Sequence, residues 1–465
     1  MKKLSLVYFS LSVLLLFSAC GKDDNGGNVT PDGPKEVVTV KGDITANTTW
    51  TADKSYLLNG FVFVKSGVTL TIEPGTVIKG DKVSNATLVI TRGAKINATG
   101  TVEKPIVFTS NAAAGSRNAG DWGGLIILGK APINIKGTGS TAAFNENKIE
   151  GGLNPTAGGN EFEYTWYGGT DAADNSGTLK YVRVEYPGVA YSVDNEINGI
   201  TFGGVGAGTT IEHVEVYNSG DDSFEWFGGT VNAKYLLAVN GVDDDFDTDN
   251  GFAGKIQFGV AIRNANVADK SGSNGFESDN DAPGSANTPQ TKAVFSNMTI
   301  VGPMATTSTQ INSYFQNGAQ IRRNSSQSIA NSIFMGFPVG VYIDDTRGTA
   351  TSANALSGSL VFANNIIAGC TTPFKKSTDA FDIAAFFTQN ANISIATTAE
   401  AGLTDAYAAA PKLTLKAGAA ALTGAAFNGV FADGFFSKVA YKGAFDGTTD
   451  WTSGWATYDP QNTAY

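Results

Sequence analysis

The chain has 465 residues, a formal net charge of −11, 56 glycines, one histidine and two cysteines. The acidic balance excludes nucleic-acid binding, because no basic stripe offers counterion release. One histidine and two cysteines exclude a zinc site of the usual nitrogen and sulfur kind. High glycine alongside β-branched and aromatic residues points to many short strands joined by tight turns.

Lys2 and Lys3 followed by an apolar run at residues 11–17 read as a signal peptide over residues 1–19, since the run is too short to span a bilayer. Leu16-Phe17-Ser18-Ala19-Cys20 resembles a bacterial lipobox, which implies cleavage before Cys20 and lipidation of its thiol. That leaves Cys370 without a disulfide partner, as a small buried hydrophobe. Gly21-Lys22-Asp23-Asp24 resembles the surface-export signal of Bacteroidota lipoproteins and implies the outer leaflet of the outer membrane. Residues 20–36, rich in Gly, Pro and Asn, form a flexible tether.

From Val37 the pattern is alternation and turn. Residues 56–64 (YLLNGFVFV), 68–72 (VTLTI), 87–91 (TLVIT) and 105–109 (PIVFT) are strand-like and too short for helices. Two-residue hairpin turns are sparse, and three short strands per 20–25 residues suit an all-β parallel solenoid, a parallel β-helix spanning residues 37–378. The run Gly67-Val68-Thr69-Leu70-Thr71-Ile72-Glu73-Pro74-Gly75-Thr76, with Lys104-Pro105-Ile106-Val107-Phe108, resembles the opening coils of right-handed, pectate-lyase-like parallel β-helix proteins. Residues 121–134 (DWGGLIILGKAPIN) and 450–462 (DWTSGWATYDPQN) resemble signatures of a Bacteroidota outer-membrane lipoprotein family with that fold.

Residues 136–174 break the period and read as an inserted loop. Its aromatic centre, residues 161–167 (EFEYTWY), offers Tyr164 and Trp166 as ligand-binding residues able to stack on a sugar ring, or to pack down onto the coil.

The strongest repeat follows. Residues 211–228 (IEHVEVYNSGDDSFEWFG) and 233–250 (AKYLLAVNGVDDDFDTDN) register without a gap, 22 places apart. Asp221, Asp222, Phe224 and Glu225 fall on Asp243, Asp244, Phe246 and Asp247, and a third copy supplies Phe276, Glu277 and Asp279. Residues 179–188 align as well, so Tyr181, His213 and Tyr235 share one stack position. Equivalent residues one coil apart lie about 4.8 Å apart, where two like charges repel by roughly 3 kcal/mol at an effective dielectric near 20. A bound cation is the simplest compensation. The candidate metal ligands are Asp221, Asp222, Glu225, Asp243, Asp244, Asp245, Asp247, Asp249, Glu277 and Asp279, with Asp281 beside them, and an all-oxygen set favours calcium. The alternative is that these acids cap their own turns.

Asn297, Asn331 and Asn364 each precede two strand residues and a later Gly, and are expected to form an internal amide ladder. Residues 379–465 read as a last coil and C-terminal cap. Within them, residues 381–387 and 401–410 have helical composition, residues 411–426 resemble a degenerate last coil, and the aromatic segment 427–465 is expected to cover the open end.

Two classes of function follow. One is a lipid-anchored surface module that binds glycan, adheres, or assists an outer-membrane transporter without catalysis. The other is a calcium-dependent polysaccharide lyase, with Arg263, Arg322 or Arg323 as base, or a glycoside hydrolase using a carboxylate pair.

Overall fold

The structure, a computed structural model, describes residues 35–153, 159–192 and 195–465. The signal peptide, Cys20 and nearly all of the tether lie outside the described residues.

Alternation in the sequence becomes inside–outside alternation along each strand. In Thr69–Ile72, Leu70 and Ile72 are buried and the threonines between them are partly exposed. No such strand covers its apolar side alone, so successive coils stack in parallel and the sequence forms a right-handed parallel β-helix. Three faces run along it. The first carries Gly124–Leu128, Ile200–Val205, Phe224–Gly229, Phe246–Asp249, Phe276–Ser278, Asn317–Ile321 and Val339–Ile343. The other two share the long strands Gly177–Glu185, Thr210–Tyr217, Asn232–Val239 and Lys255–Ile262, which bend midway. The 22-residue register is the observed pairing: Phe224 faces Phe246, and Glu225 faces Asp247. Phe224, Phe246 and Phe276 stack inside with ring centroids 5.7 and 5.2 Å apart.

The bend in the long strands is a single residue in the left-handed region. Tyr181, His213, Tyr235 and Phe258 occupy it at φ between 51° and 63°, and Asn297, Asn331 and Asn364 take the same place in later coils. Asparagine suits that conformation; a ring there costs roughly 1–2 kcal/mol. The rings offset some of this by stacking, with His213 4.5 Å from Tyr181 and 4.4 Å from Tyr235.

These asparagines do not form the internal ladder expected of them. Because their backbone turns the corner, their amides point outward: Asn297 Nδ2 donates to Tyr441 O and Asn331 Nδ2 to Ala426 O. The ladder sits one residue later. Ser332 Oγ accepts from Met298 N–H, Asn365 Oδ1 from Ser332 N–H, and Asn392 Oδ1 from Asn365 N–H.

Three expectations for the C-terminal part are corrected. The helix at Ile383–Gln389 covers the end of the solenoid, with Phe387 stacked 4.6 Å from Phe374. Only Ala401, the end of a 3-10 turn, is helical within residues 401–410, and residues 411–426 are not a coil: Leu403–Asp405 and Lys412–Leu415 pair antiparallel. The aromatic segment does not plug the end. It runs back along the outside, from Gly443 on Asn331 to Gln461 on Gly115 and Arg117. The helix already occupies the open end, so the Trp451 and Trp455 rings pack on the lateral corner.

Asn365→Ala removes the acceptor of Ser332 N–H (2.9 Å) and the donor to Ile329 O (3.0 Å) and is expected to cost about 2–3 kcal/mol in denaturant unfolding. Asn364→Ala is expected to cost roughly 1–2 kcal/mol, chiefly through its backbone. A larger loss for Asn364→Ala would return the ladder to the corner position.

Candidate functional site

The outward side of the first face reads, coil by coil, Val89, Ile126, Thr201, Glu225, Asp247, Glu277, Gln320, Tyr342. Its early part is apolar and is covered by the insertion. Ile133, Ile149, Leu153, Tyr164 and Tyr167 pack over Phe63, Val89 and Ile126. Where the insertion ends, the row turns acidic and a cavity of about 200 Å³ opens. Glu150, Asp221, Asp222, Glu225, Asp243, Asp244, Asp247 and Glu277 line it together with Asn198, Ser271, Gly272 and Arg322. Gly272 sits at φ 111°, a backbone conformation that L side chains rarely adopt.

Strand period and turn geometry place the acids. Glu225, Asp247 and Glu277 sit at one outward strand position, while Asp221, Asp222, Asp243 and Asp244 come from the equivalent turns preceding two of those strands. Asp222 and Asp244 also hold the coils together. Asp222 Oδ1 accepts from Asp244 N–H (2.7 Å), and Asp244 Oδ1 from Asn274 N–H (2.5 Å). These two acids therefore do not cap their own turns: one oxygen of each accepts from the turn of the next coil, and each side chain also lines the cavity. Carboxylate oxygens gather in three overlapping trios, Asp221/Asp222/Asp243, Asp222/Glu225/Asp247 and Asp244/Asp247/Glu277, each within 4.8 Å. Asp243 Oδ1 and Asp247 Oδ1 are buried with no hydrogen-bond partner. Glu225 accepts from Asn198 Nδ2, which also lies 3.2 Å from Glu150 Oε1.

Burial, followed by the neighbouring carboxylates, holds Asp221, Asp222, Glu225, Asp244 and Asp247 well above the usual carboxylate range. Burial pushes Asp243 up to about 6 and Glu277 up to about 7, the latter against the pull of Arg322. Charge imbalance adds to burial: eight carboxylates face the cavity, and Arg322 is the one cationic side chain lining it among the described residues. Arg322 is itself bound to Glu277 and, at 2.8 Å, to Asp279.

Seven of the ten ligand residues read from sequence thus converge. Three do not. Asp245 points to Arg263 (3.0 Å), and both side chains are fully buried. Asp249 Oδ1 accepts from the Asn250 N–H at 2.6 Å. Asp279 is taken by Arg322 and Arg323. Asp281, beside them, accepts from Ser285 and Asn287 as a turn cap. Neither ring proposed as a sugar platform is available: Trp166 is 4 % and Tyr164 5 % exposed. Trp166 stacks on Phe162, and the Tyr164 ring packs edge-on against Phe63 while its hydroxyl bonds Asp43. Apolar rows beneath the insertion drew its aromatics inward. Glu150 and Asn198 escaped sequence reasoning, because Glu150 lies in the insertion and Asn198 precedes the in-register coils, so neither shares the repeat that marks the other acids.

A family model described as a pectate-lyase like beta helix domain matches residues 42–412. No curated protein sequence matches the chain. Among solved structures, the catalytic domain of a GH87 alpha-1,3-glucanase in complex with tetrasaccharides is similar at 10 % identity and a TM-score of 0.29, over 78 % of this chain and 64 % of that one. The same catalytic domain with nigerose gives 10 % identity and a TM-score of 0.30, over 79 % and 69 %. This chain therefore spans less than two thirds of the tetrasaccharide-bound domain, and overlaps this loose say nothing about activity. By the match over residues 42–412, the chain belongs to the pectate-lyase-like β-helix domain family.

Proposed function

We propose that the cavity holds a divalent cation, calcium in the first place, and that the chain is a non-catalytic surface module using that cation to hold a polysaccharide bearing carboxylates. The carrying observation is the set of three overlapping carboxylate trios around a cavity whose lining arginine is already paired. The donor set fits calcium: it is all oxygen, and Asp243 Oδ1 and Asp247 Oδ1 are buried with no other partner. Bound calcium would supply positive charge between the coils and open coordination positions for a sugar carboxylate. Asp222, Glu225, Asp243, Asp244, Asp247 and Glu277 are the residues to hold it.

The lyase alternative lacks a free base among the three arginines considered for it. Arg263 is buried against Asp245, Arg322 is bound to Glu277 and Asp279, and Arg323 is bound to Asp279. A second reading, a glycoside hydrolase, is favoured by one observation: Glu277, pushed up to about 7 by burial, has the proton affinity of a general acid at neutral pH. The placement at the cell surface, through lipid on Cys20, belongs to this proposal, as does an outer-membrane transporter as partner.

At a calcium concentration a hundred times Kd, the melting midpoint should rise by the equivalent of about 3 kcal/mol, and chelator should reverse it. Asp222→Asn with Asp247→Asn should abolish the shift, and an unchanged midpoint in the parent protein would sink the cation site. Calcium-dependent retention on acidic but not neutral glycans, without new reducing or unsaturated ends, would support the binder; release of reducing ends without unsaturated ends would favour the hydrolase.

The pH dependence has a definite sign. Asp243 and Glu277 lie above their ordinary values, so their share of metal-free stability is present at low pH and lost as pH rises through about 6 and about 7. Calcium needs the ionised forms, so its stabilisation should grow between those values. Melting with and without calcium at pH 5 and pH 8 tests this; a shift equal at both would contradict it.

A further inference from the structure

The polar groups under the C-terminal segment are arranged unlike those of an ordinary packed interface. Residues 425–465 cross the corner where Tyr181, His213, Tyr235 and Phe258 stack. Trp455 meets Tyr181 and His213 edge-on at 5.8 Å, and Trp451 meets Tyr235 at 5.4 Å. Below this aromatic contact lie two fully buried carboxyl groups, Glu185 and Glu215. Each receives a donor from the segment: Tyr465 OH reaches Glu185 Oε1 at 2.6 Å, and the Thr457 N–H reaches Glu215 Oε2 at 3.0 Å. Glu185 has a cation of its own, Arg183 at 3.2 Å. Among the described residues Glu215 has no ion pair, and its Oε1 is buried without a partner, as are Glu185 Oε2 and Tyr186 OH. A segment sealed by apolar contacts alone would bury no such groups; an uncompensated carboxylate there would be expelled.

We propose that residues 425–465 form a releasable clasp, which opens from the aromatic corner and whose closure is governed by the protonation of Glu215 beneath it. The groups facing Glu215 are Arg183 and Glu185 on the preceding coil, Tyr217 on its own strand, and Tyr458 and Tyr465 on the clasp; Asp459 faces Tyr217 and Tyr186, and Arg117 and Thr109 face Glu185. His213 is faced by Glu212, Lys180, Tyr181, Tyr235, Trp451 and Trp455.

With the clasp shut, burial pushes Glu215 from 4.5 up to about 8, although Arg183 pulls it back. An opened, solvated Glu215 ionises near its ordinary value, so closing binds a proton across this window and weakens as pH rises through it. His213 acts in the opposite sense: burial lowers it from 6.5 to about 4, so its share of closure is present above 6.5 and lost as pH falls through 4. The two dependences cancel between about pH 4.5 and 6.5, and above that Glu215 prevails. The closing constant then falls on the order of tenfold by pH 8.5.

Amide hydrogen exchange of the intact chain, corrected for the intrinsic pH dependence of exchange, reads this directly. Amides of residues 451–465 should lose about tenfold protection from pH 6.5 to 8.5, while those of Asn232–Val239 keep theirs. Glu215→Gln keeps an acceptor for Thr457 N–H and cannot ionise, so it should abolish that loss. Loss of protection in step with the coil amides would overturn the proposal, as would an unchanged alkaline loss in Glu215→Gln.

Discussion

Parallel stacking of equivalent residues at the strand spacing governs this protein. Each coil sets its residue types directly above those of the previous coil, so like meets like. Inside, this is favourable: Phe224, Phe246 and Phe276 build a continuous stack. On the outer wall the same geometry aligns Glu225, Asp247 and Glu277, and it closes the neighbouring turn acids around one cavity. The arrangement that makes the core cohesive makes the wall electrostatically costly. The raised proton affinities of these carboxyls are the visible form of that cost.

The solenoid disposes of its exposed surfaces in three different ways. The apolar early rows of the first face are roofed by the insertion, which spends its aromatics on that task. The C-terminal opening of the interior is covered by Ile383–Gln389. The corner of left-handed aromatics is covered by the returning C-terminal segment, whose Trp451 and Trp455 meet the ring edges. The acidic cavity is where roofing stops, so its position follows from the length of the insertion as well as from the acids. Glu150 from the insertion and Asn198 from the chain before Ile200–Val205 complete its wall.

The two candidate devices lie in different parts of each coil and use opposite chemistry. The cavity gathers carboxylates beyond what arginine can neutralise, and a multivalent cation is the natural counter-charge. The clasp buries one carboxyl with no ion pair, and a proton serves there. In both places the polypeptide leaves oxygen atoms without internal partners, and under the two proposals a cation in one and a proton in the other would supply the missing charge.

Local repetition made much of this legible in the sequence. The 22-residue register fixed which residues stack, because a parallel coil with a period-two strand leaves no freedom in which side chain faces out. It identified the Tyr181, His213, Tyr235 stack and seven of the cavity's acids. Where repetition failed, tertiary structure decided. Asp245 and Asp249 share the repeat yet leave the cavity, since Arg263 captures one and a local backbone N–H the other. For Trp166 the sequence leaves open a sugar platform or packing onto the coil; the apolar rows beneath the insertion decide for packing. The repeat marks the corner asparagines as structural but does not give their bonds, because a left-handed backbone residue turns its side chain away from the interior. The C-terminal aromatics announced a cover without saying what they covered. Sequence period determines contacts one coil apart; contacts between an insertion or a tail and a distant coil depend on which surfaces the finished solenoid leaves open.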